Sequence, residues 1–418
     1  MNILLLTHGV PYPPDTGPRA KTYRLIRHLA ERHRLTLVCL GQDDTGPIRA
    51  AALRPLCADV HLVPSPESRW TDLGALLGSL LGSRPYTLAR LESQELRTLL
   101  PRLLDEAAAH GNPFDLAHVD QIVMAPYAEA LPLPRLLDAH NAVWQIFAEL
   151  ARQRGPLGSW LATHEAALLR AYEGQICASF EAVMAVSEED RQALLAAAGQ
   201  ECPITVVPIG VDGSALKPVQ RISAPRSVLS LATPGWPPNA EGIAWFAREV
   251  FPLVRRAVPE STLFICGANP TAELRSLAER QPAIEVTGFV DPQPYLEQAG
   301  VLIAPLRSRG GMRVMLLEAL AREIPVVATG LACADLDLTP GEHLLVADTP
   351  SEFADAVALL LRDQELGARL AAAGRRRVLE RYDWRAVYSA VDRIYAHLTT
   401  RSAPIGNEAP IGEPVVSP

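Results

Sequence analysis

Residues 308–330 read SRGGMRVMLLEALAREIPVVATG, and two features of this stretch could do chemistry. Gly310 and Gly311 stand just ahead of an apolar helical pattern, and Glu318 is the lone carboxylate among Leu316, Leu317, Ala319 and Leu320. Without Cβ atoms, the glycines let a ligand reach the backbone. The first N–H groups of a helix are unpaired donors at its positive end, which suits a phosphate. Arg307, Arg309 and Arg313 add charge around them, with Met312 between. Glu318 follows Gly311 by seven residues. That is about 10 Å along the axis and close to two turns, so it returns to the face that Gly311 begins. A diphosphate at the helix start and a ribose further along fit this spacing, since one carboxylate can accept from both ribose hydroxyls. A glycine-capped packing helix, with its glutamate reaching to solvent, fits the same residues.

Other candidates stand where apolar runs end. HGVPYPPDTGPRAK follows the first run, with Gly9 and Gly17 in the loop and Arg19 and Lys21 at the next helix start. Positive charge there opposes the helix dipole, so a nearby anionic ligand would account for both. LLDAHNAVW closes another run with Asp138, His140 and Asn141, and Asp120 closes the run before it. GWPPN places Trp236 and Asn239 at a strand end, where the indole could stack on a base or plug an edge. No G-x-S-x-G or phosphate-loop signature occurs, and the scattered histidines show no ligand spacing.

These loops need a scaffold. A chain of 418 residues exceeds one ordinary core, so two domains are expected. NILLLTH, RLTLVCLG, ADVHLVP, DLAHVD, RLLDAHN, AVMAVS and ITVVPIG read as strands, with helical patterns such as RAKTYRLIRHLAER between most of them. The pattern then resets: RSVLSLATP, STLFICGA, IEVTGFV, VLIAPL, PVVATG and HLLVAD are strands, and NAEGIAWFAREVFPLVRRAV reads as one helix. Such alternation predicts α/β architecture, with parallel sheets covered on both faces. The expected domains are two doubly wound units, 1–212 and 213–383, with the proline-bearing VDGSALKPVQRISAPRS at the boundary. Ligands in such folds sit outside the carboxyl ends of the strands. The helical pattern over 384–400 lacks a partner strand, and the tail 401–418 reads as disordered.

The net charge of −8 argues against a nucleic-acid binder that works by general electrostatics. Six dispersed cysteines without a C-x-x-C pair read as buried reduced thiols. The N-terminus lacks the basic region of a secretory signal, and no eighteen apolar residues run together, so a cytoplasmic protein is expected. WTDLGALLGSLLGSRPYTL, residues 70–88, is apolar and glycine-rich. It reads as a packed helix or as a segment lying on a membrane surface.

Taken together, PYPPDTGPRAKTYRLIRHLAERHRLTLVCLG, AVSEEDRQAL, VVPIGVD and EVTGFVDPQPYLEQAGVLIAPLRSRGGMRVMLLEALAREIPVVAT resemble the retaining glycosyltransferases of family 4, most closely the bacterial surface-polysaccharide subgroup. The resemblance implies the GT-B fold: two facing α/β domains, with the helix over 384–400 crossing back to complete the first. It implies that the second domain holds a nucleotide-diphosphate sugar, with Glu318 on the ribose and Gly288, Phe289 and Val290 near the base. It implies that His140 and the loop around Gly17 meet the sugar and the acceptor in catalysis. The D-x-D spacing of Asp335 and Asp337 is set aside, because in this fold a helix dipole and basic groups replace the metal.

Two departures stand out. The family's helix usually shows two glutamates eight positions apart, and the first of these falls on Gly310. The usual Arg and Lys pair on the diphosphate is not evident, so Arg307, Arg309 and Arg313 are its candidate substitutes. The expected activity is metal- and cofactor-free retaining transfer of a sugar to a hydroxyl acceptor in polysaccharide or glycoconjugate synthesis, in the cytoplasm or at the inner membrane face. A GT-B sugar-nucleotide epimerase and a degenerate nucleotide-sugar-binding protein are the alternatives.

Overall fold

The computed structural model describes residues 1–14, 16–41, 46–65, 69–222, 226–308, 313–334 and 336–400. The expected disordered tail lies outside them. The chain divides into two compact units, Met1–Val207 together with the segment from Tyr388 onward, and Pro208–Val387.

The first unit is built on seven parallel strands: β1 (Asn2–His8), β2 (Arg34–Leu40), β3 (Asp59–Val63), β4 (Leu116–Asp120), β5 (Arg135–Ala139), β6 (Ala182–Ala185) and β7 (Ile204–Val206). Ile3, Leu4, Leu5 and Leu6 are all fully buried, an unbroken run rather than an alternation. Strands covered on both faces require such runs. The sheet order is β3-β2-β1-β4-β5-β6-β7, so the connections leave β1 and β4 on opposite sides of one switch point. A crevice opens at such a point.

The second unit repeats the plan with six strands: β8 (Ser227–Leu231), β9 (Thr262–Cys266), β10 (Ile284–Gly288), β11 (Ala299–Ala304), β12 (Val326–Ala328) and β13 (Leu345–Val346). Their order is β10-β9-β8-β11-β12-β13, with the switch point between β8 and β11. The proline-bearing segment after residue 211 belongs to this unit, fastened by Val219 N–H donating to the Arg322 carbonyl at 3.0 Å. The single helix expected over NAEGIAWFAREVFPLVRRAV is instead three pieces: Pro237–Trp245, a π-turn over Phe246–Val250, and Phe251–Ala257. Pro252 explains the break, because it has no N–H to give and its ring crowds the carbonyl four residues back.

The helix Trp384–Thr400 joins the first unit from Tyr388 on. It is fastened by polar groups: Tyr388 OH donates to the Lys21 carbonyl at 2.9 Å, and Asp392 meets His28 Nε2 at 2.8 Å and Arg32 at 2.9 Å. The helix Arg69–Leu81 buries Ala75 and Ser79 but leaves Trp70, Leu73, Leu77 and Leu81 exposed. Their 3-4-4 spacing sets them on one face. Leu157 and Trp160 on the helix Pro156–Ser179 are also exposed, and that helix is tied to the first by His164 Nε2 at 3.0 Å from the Ser79 carbonyl.

Candidate functional site

At the carboxyl ends of β1, β4 and β5 the first unit has a pocket of about 350 Å³. Its walls include His8, Thr87, Arg90, Gln121, His140 and Asn141. His140 follows β5 directly, and its Nε2 lies 2.8 Å from Asp120 Oδ1 at the end of β4. Asp120 is almost fully buried and also accepts from the Thr22 hydroxyl at 3.1 Å. Its neighbours His140 and Lys21 hold its carboxyl below the usual range against the effect of burial, so it is ionised. Gln121, next in the chain, has φ 72°, a left-handed value that costs a non-glycine residue on the order of 1 kcal/mol or more. Its N–H is pinned to the Asp138 carbonyl at 3.0 Å, which holds the chain in that shape at the pocket wall.

Beneath His140 lies a buried polar network. Lys21 bonds its ammonium to Asp138, with both side chains about 1% exposed. The expectation of an anionic ligand near Lys21 is thus corrected: its anion is a carboxylate of the neighbouring β5. His118 on β4 meets the Tyr395 hydroxyl at 2.6 Å, so the C-terminal helix reaches under the site. His118 Nε2 and Asp138 Oδ2, 3.9 Å apart, are the two atoms of this network left without a hydrogen-bond partner.

Burial pushes His118 down to about 4 from the 6.5 of an exposed imidazole, outweighing the nearby Asp138 and Asp120. Folding therefore favours the neutral ring. This group's contribution to stability is complete above pH 6.5 and is lost as pH falls toward 4. Between pH 7 and pH 5, His118→Gln should lose about 2 kcal/mol less stability than the parent in urea titrations. Equal losses would show that the buried ring is not kept neutral.

In the second unit Glu318 lies on the helix Arg313–Ala321, partly exposed, with Arg322 Nη1 at 3.6 Å from Oε2. Arg307 is exposed beyond β11 and stacks its guanidinium 5.3 Å from the centre of the Trp245 ring. Trp236 is 40% exposed at the start of the helix Pro237–Trp245, beyond β8. Asn239 turns inward and donates to the Thr233 carbonyl at 3.2 Å, which fastens the turn after β8. Gly242 lets this helix lie against the end of β11, since a Cβ there would collide with the Pro305 carbonyl oxygen. Ser308 then donates to Glu241 at 2.8 Å and ties the segment after β11 to this helix.

Gly288 ends β10 with φ 74°, Phe289 is largely exposed beside it, and Val290 packs on the core. Gly17 begins the helix Gly17–Ala30 in the first unit, whose second turn supplies Lys21 and Thr22 to the network. Arg309, Gly310, Gly311 and Met312 lie outside the described residues, as does the side chain of Arg313. Asp337 is taken by Arg377 at 2.5 Å and Arg381 at 3.1 Å, while Asp335 is not described. Sequence reasoning missed His118, Gln121, Tyr388 and Tyr395. Only strand order brings Gln121 to the pocket wall, and only strand order and the return of the last helix bring the other three together in the network beneath it.

Two family profiles match the chain, "Glycosyltransferase Family 4" over residues 21–214 and "Glycosyl transferases group 1" over 225–363. The chain belongs to the family 4-like glycosyltransferases of GT-B fold. Among related glycosyltransferases, it is 32% identical over 163 residues to the phosphatidyl-myo-inositol mannosyltransferase of Mycobacterium leprae, which is 38% of this chain and 43% of that one. It is 26% identical over 352 residues to the GDP-mannose-dependent alpha-(1-6)-phosphatidylinositol monomannoside mannosyltransferase of Mycobacterium tuberculosis, 75% of this chain and 90% of that one. The fold of this glycosyltransferase is shared with sucrose-phosphate synthase from Thermosynechococcus elongatus, at TM-score 0.69, 17% identity and coverage of 96% and 100%.

Proposed function

We propose that this glycosyltransferase carries a sugar, with retention of configuration, from a nucleotide diphosphate to a hydroxyl acceptor in glycoconjugate synthesis. The observation that carries the reading is the pocket beyond β1, β4 and β5, with His140 in its wall and an ionised Asp120 behind the ring. The acceptor hydroxyl would attack the anomeric carbon from the face that the diphosphate leaves, so no protein nucleophile is needed. The helix Arg313–Ala321 follows the glycine pair, and its positive end would stabilise the leaving diphosphate as charge develops. Glu318 would hold the ribose, and Trp236 and Phe289 offer exposed aromatic surface to a base.

The transfer is proposed to need no metal. Asp120, Asp138 and His140 are spaced closely enough to hold one, but Lys21 already supplies the charge that Asp138 needs. GDP-mannose is the first donor to try, because the Mycobacterium tuberculosis relative is named for it.

The acceptor is proposed to be presented at a membrane surface. No helix among the described residues is long and apolar enough to cross a bilayer. The exposed face of Trp70, Leu73, Leu77 and Leu81 can instead lie in the headgroup layer; the helix tied to it at Ser79 also exposes Leu157 and Trp160, and Arg152 and Arg154 just before that helix are exposed.

Calorimetric titration with GDP and UDP, on the parent and on Glu318→Ala, tests the nucleotide site. Loss of two hydrogen bonds to a charged group should weaken the preferred nucleotide by about 2–3 kcal/mol, or roughly 30- to 150-fold. Binding of neither nucleotide would sink the donor assignment. Phosphatidylinositol vesicles should pull down the parent and leave Leu77→Glu/Leu81→Glu in solution, and equal pull-down would remove the membrane reading.

A further inference from the structure

The helix Pro156–Ser179 carries two glutamates, Glu165 and Glu173, that the proposed chemistry does not use, and both are buried, at 5% and 1% exposure. Glu165 accepts from the backbone N–H groups of Tyr86 and Thr87, each at 2.8 Å. Glu173 accepts from Val143 at 2.8 Å and from Trp144 at 2.9 Å. Thr87 and Val143 are themselves pocket-lining residues. The two carboxylates therefore hold amides of residues in the pocket wall. On the His140 side the restraint is nearly continuous, because Asp190 also accepts from Ala142 N–H at 2.9 Å.

Stability alone does not account for Glu173. Burial pushes its carboxyl up to about 7 despite the two N–H donors, so the ionised group is held at a net cost near neutral pH. What a carboxylate offers here is geometry: two acceptors on one side chain satisfy two adjacent amides at a helix start. Eight residues along one helix separate the two carboxylates by about 12 Å, a rigid spacing.

We propose that Glu165 and Glu173 are positioning residues, which hold the Thr87 wall and the His140–Trp144 turn at a fixed separation so that the pocket is shaped before substrate enters. This rests on the reading of that pocket as the place of transfer. The test uses the full chain with Glu165→Gln and Glu173→Gln. Each variant keeps the size but sets an amide NH2 against a backbone N–H. Amide hydrogen exchange is followed in segments 85–91 and 139–146. GDP release from GDP-mannose is followed beside it, with phosphatidylinositol vesicles as acceptor.

The expected result is exchange at least tenfold faster in the matching segment and a kcat at least tenfold lower, with unchanged KM for GDP-mannose and unchanged GDP affinity. Faster exchange with unchanged kcat would make the glutamates structural caps and overturn the proposal, and so would unchanged exchange. If the parent releases no GDP, this donor and acceptor pair fails by itself and exchange still decides. Loosening by Glu173→Gln that spreads back to 139–142, where His140 sits, supports positioning. Loosening confined to 143–144 refutes it.

Discussion

Lys21→Met should lower the stability of the first unit by about 3–5 kcal/mol, the largest effect expected of any single side chain here. Lys21 and Asp138 are each about 1% exposed and bonded to one another. Methionine matches the lysine stem in size but leaves the Asp138 carboxylate buried without its cation. Forming such a pair from water gains little net energy, whereas removing one partner leaves an uncompensated charge. A further result follows from that asymmetry. Lys21→Met/Asp138→Asn should recover most of the loss, because the stranded charge has gone. Urea titrations of the two singles and the double, read as a mutant cycle, check this. A Lys21→Met protein as stable as the parent would show that the pair is not buried as described.

His140→Ala should lower kcat by about 100-fold or more if the imidazole meets the sugar as charge develops, the scale of losing one preorganised polar contact. Asp120→Asn should act through the ring, not directly. His140 Nε2 is held by Asp120 Oδ1 at 2.8 Å, and the carboxylate fixes the tautomer by accepting Nε2–H. Asparagine offers a neutral oxygen that can also turn its NH2 toward the ring, so a fall of about tenfold is expected. Both variants should bind GDP as the parent does, because the nucleotide is assigned to the second unit. Steady-state GDP release from GDP-mannose, beside GDP calorimetry, separates the outcomes. Unchanged turnover in His140→Ala would remove the ring from the mechanism and return it to the bland role of a packed histidine.

Much of the scaffold was legible from local pattern. Runs such as NILLLTH and VLIAPL are continuous rather than alternating, which only strands covered on both faces tolerate, and their apolar residues are buried in both. The helix over 384–400 and its lack of a partner strand were legible for the same reason. The pattern failed at Pro252, where helical periodicity continues in register but the backbone lacks a donor. The exposed face of Trp70, Leu73, Leu77 and Leu81 was half legible. Its composition is apolar, but composition does not say which apolar face finds a partner.

In the candidate site, the sequence by itself determined the inventory: a histidine and carboxylates at strand ends, a glycine pair before a helix, and Glu318 two turns along it. Tertiary structure alone decided who serves whom. Lys21 stood four residues into a helix region and looked like half of an anion site, yet its partner Asp138 is 117 residues away. Glu165 and Glu173 looked like ordinary polar positions of a long helix until the amides of Tyr86–Thr87 and Val143–Trp144 met them. Periodicity is a local property, carried by which face of each element is apolar. Pairing of buried charges depends on strand order and on where the chain returns, and no window of neighbouring residues records either.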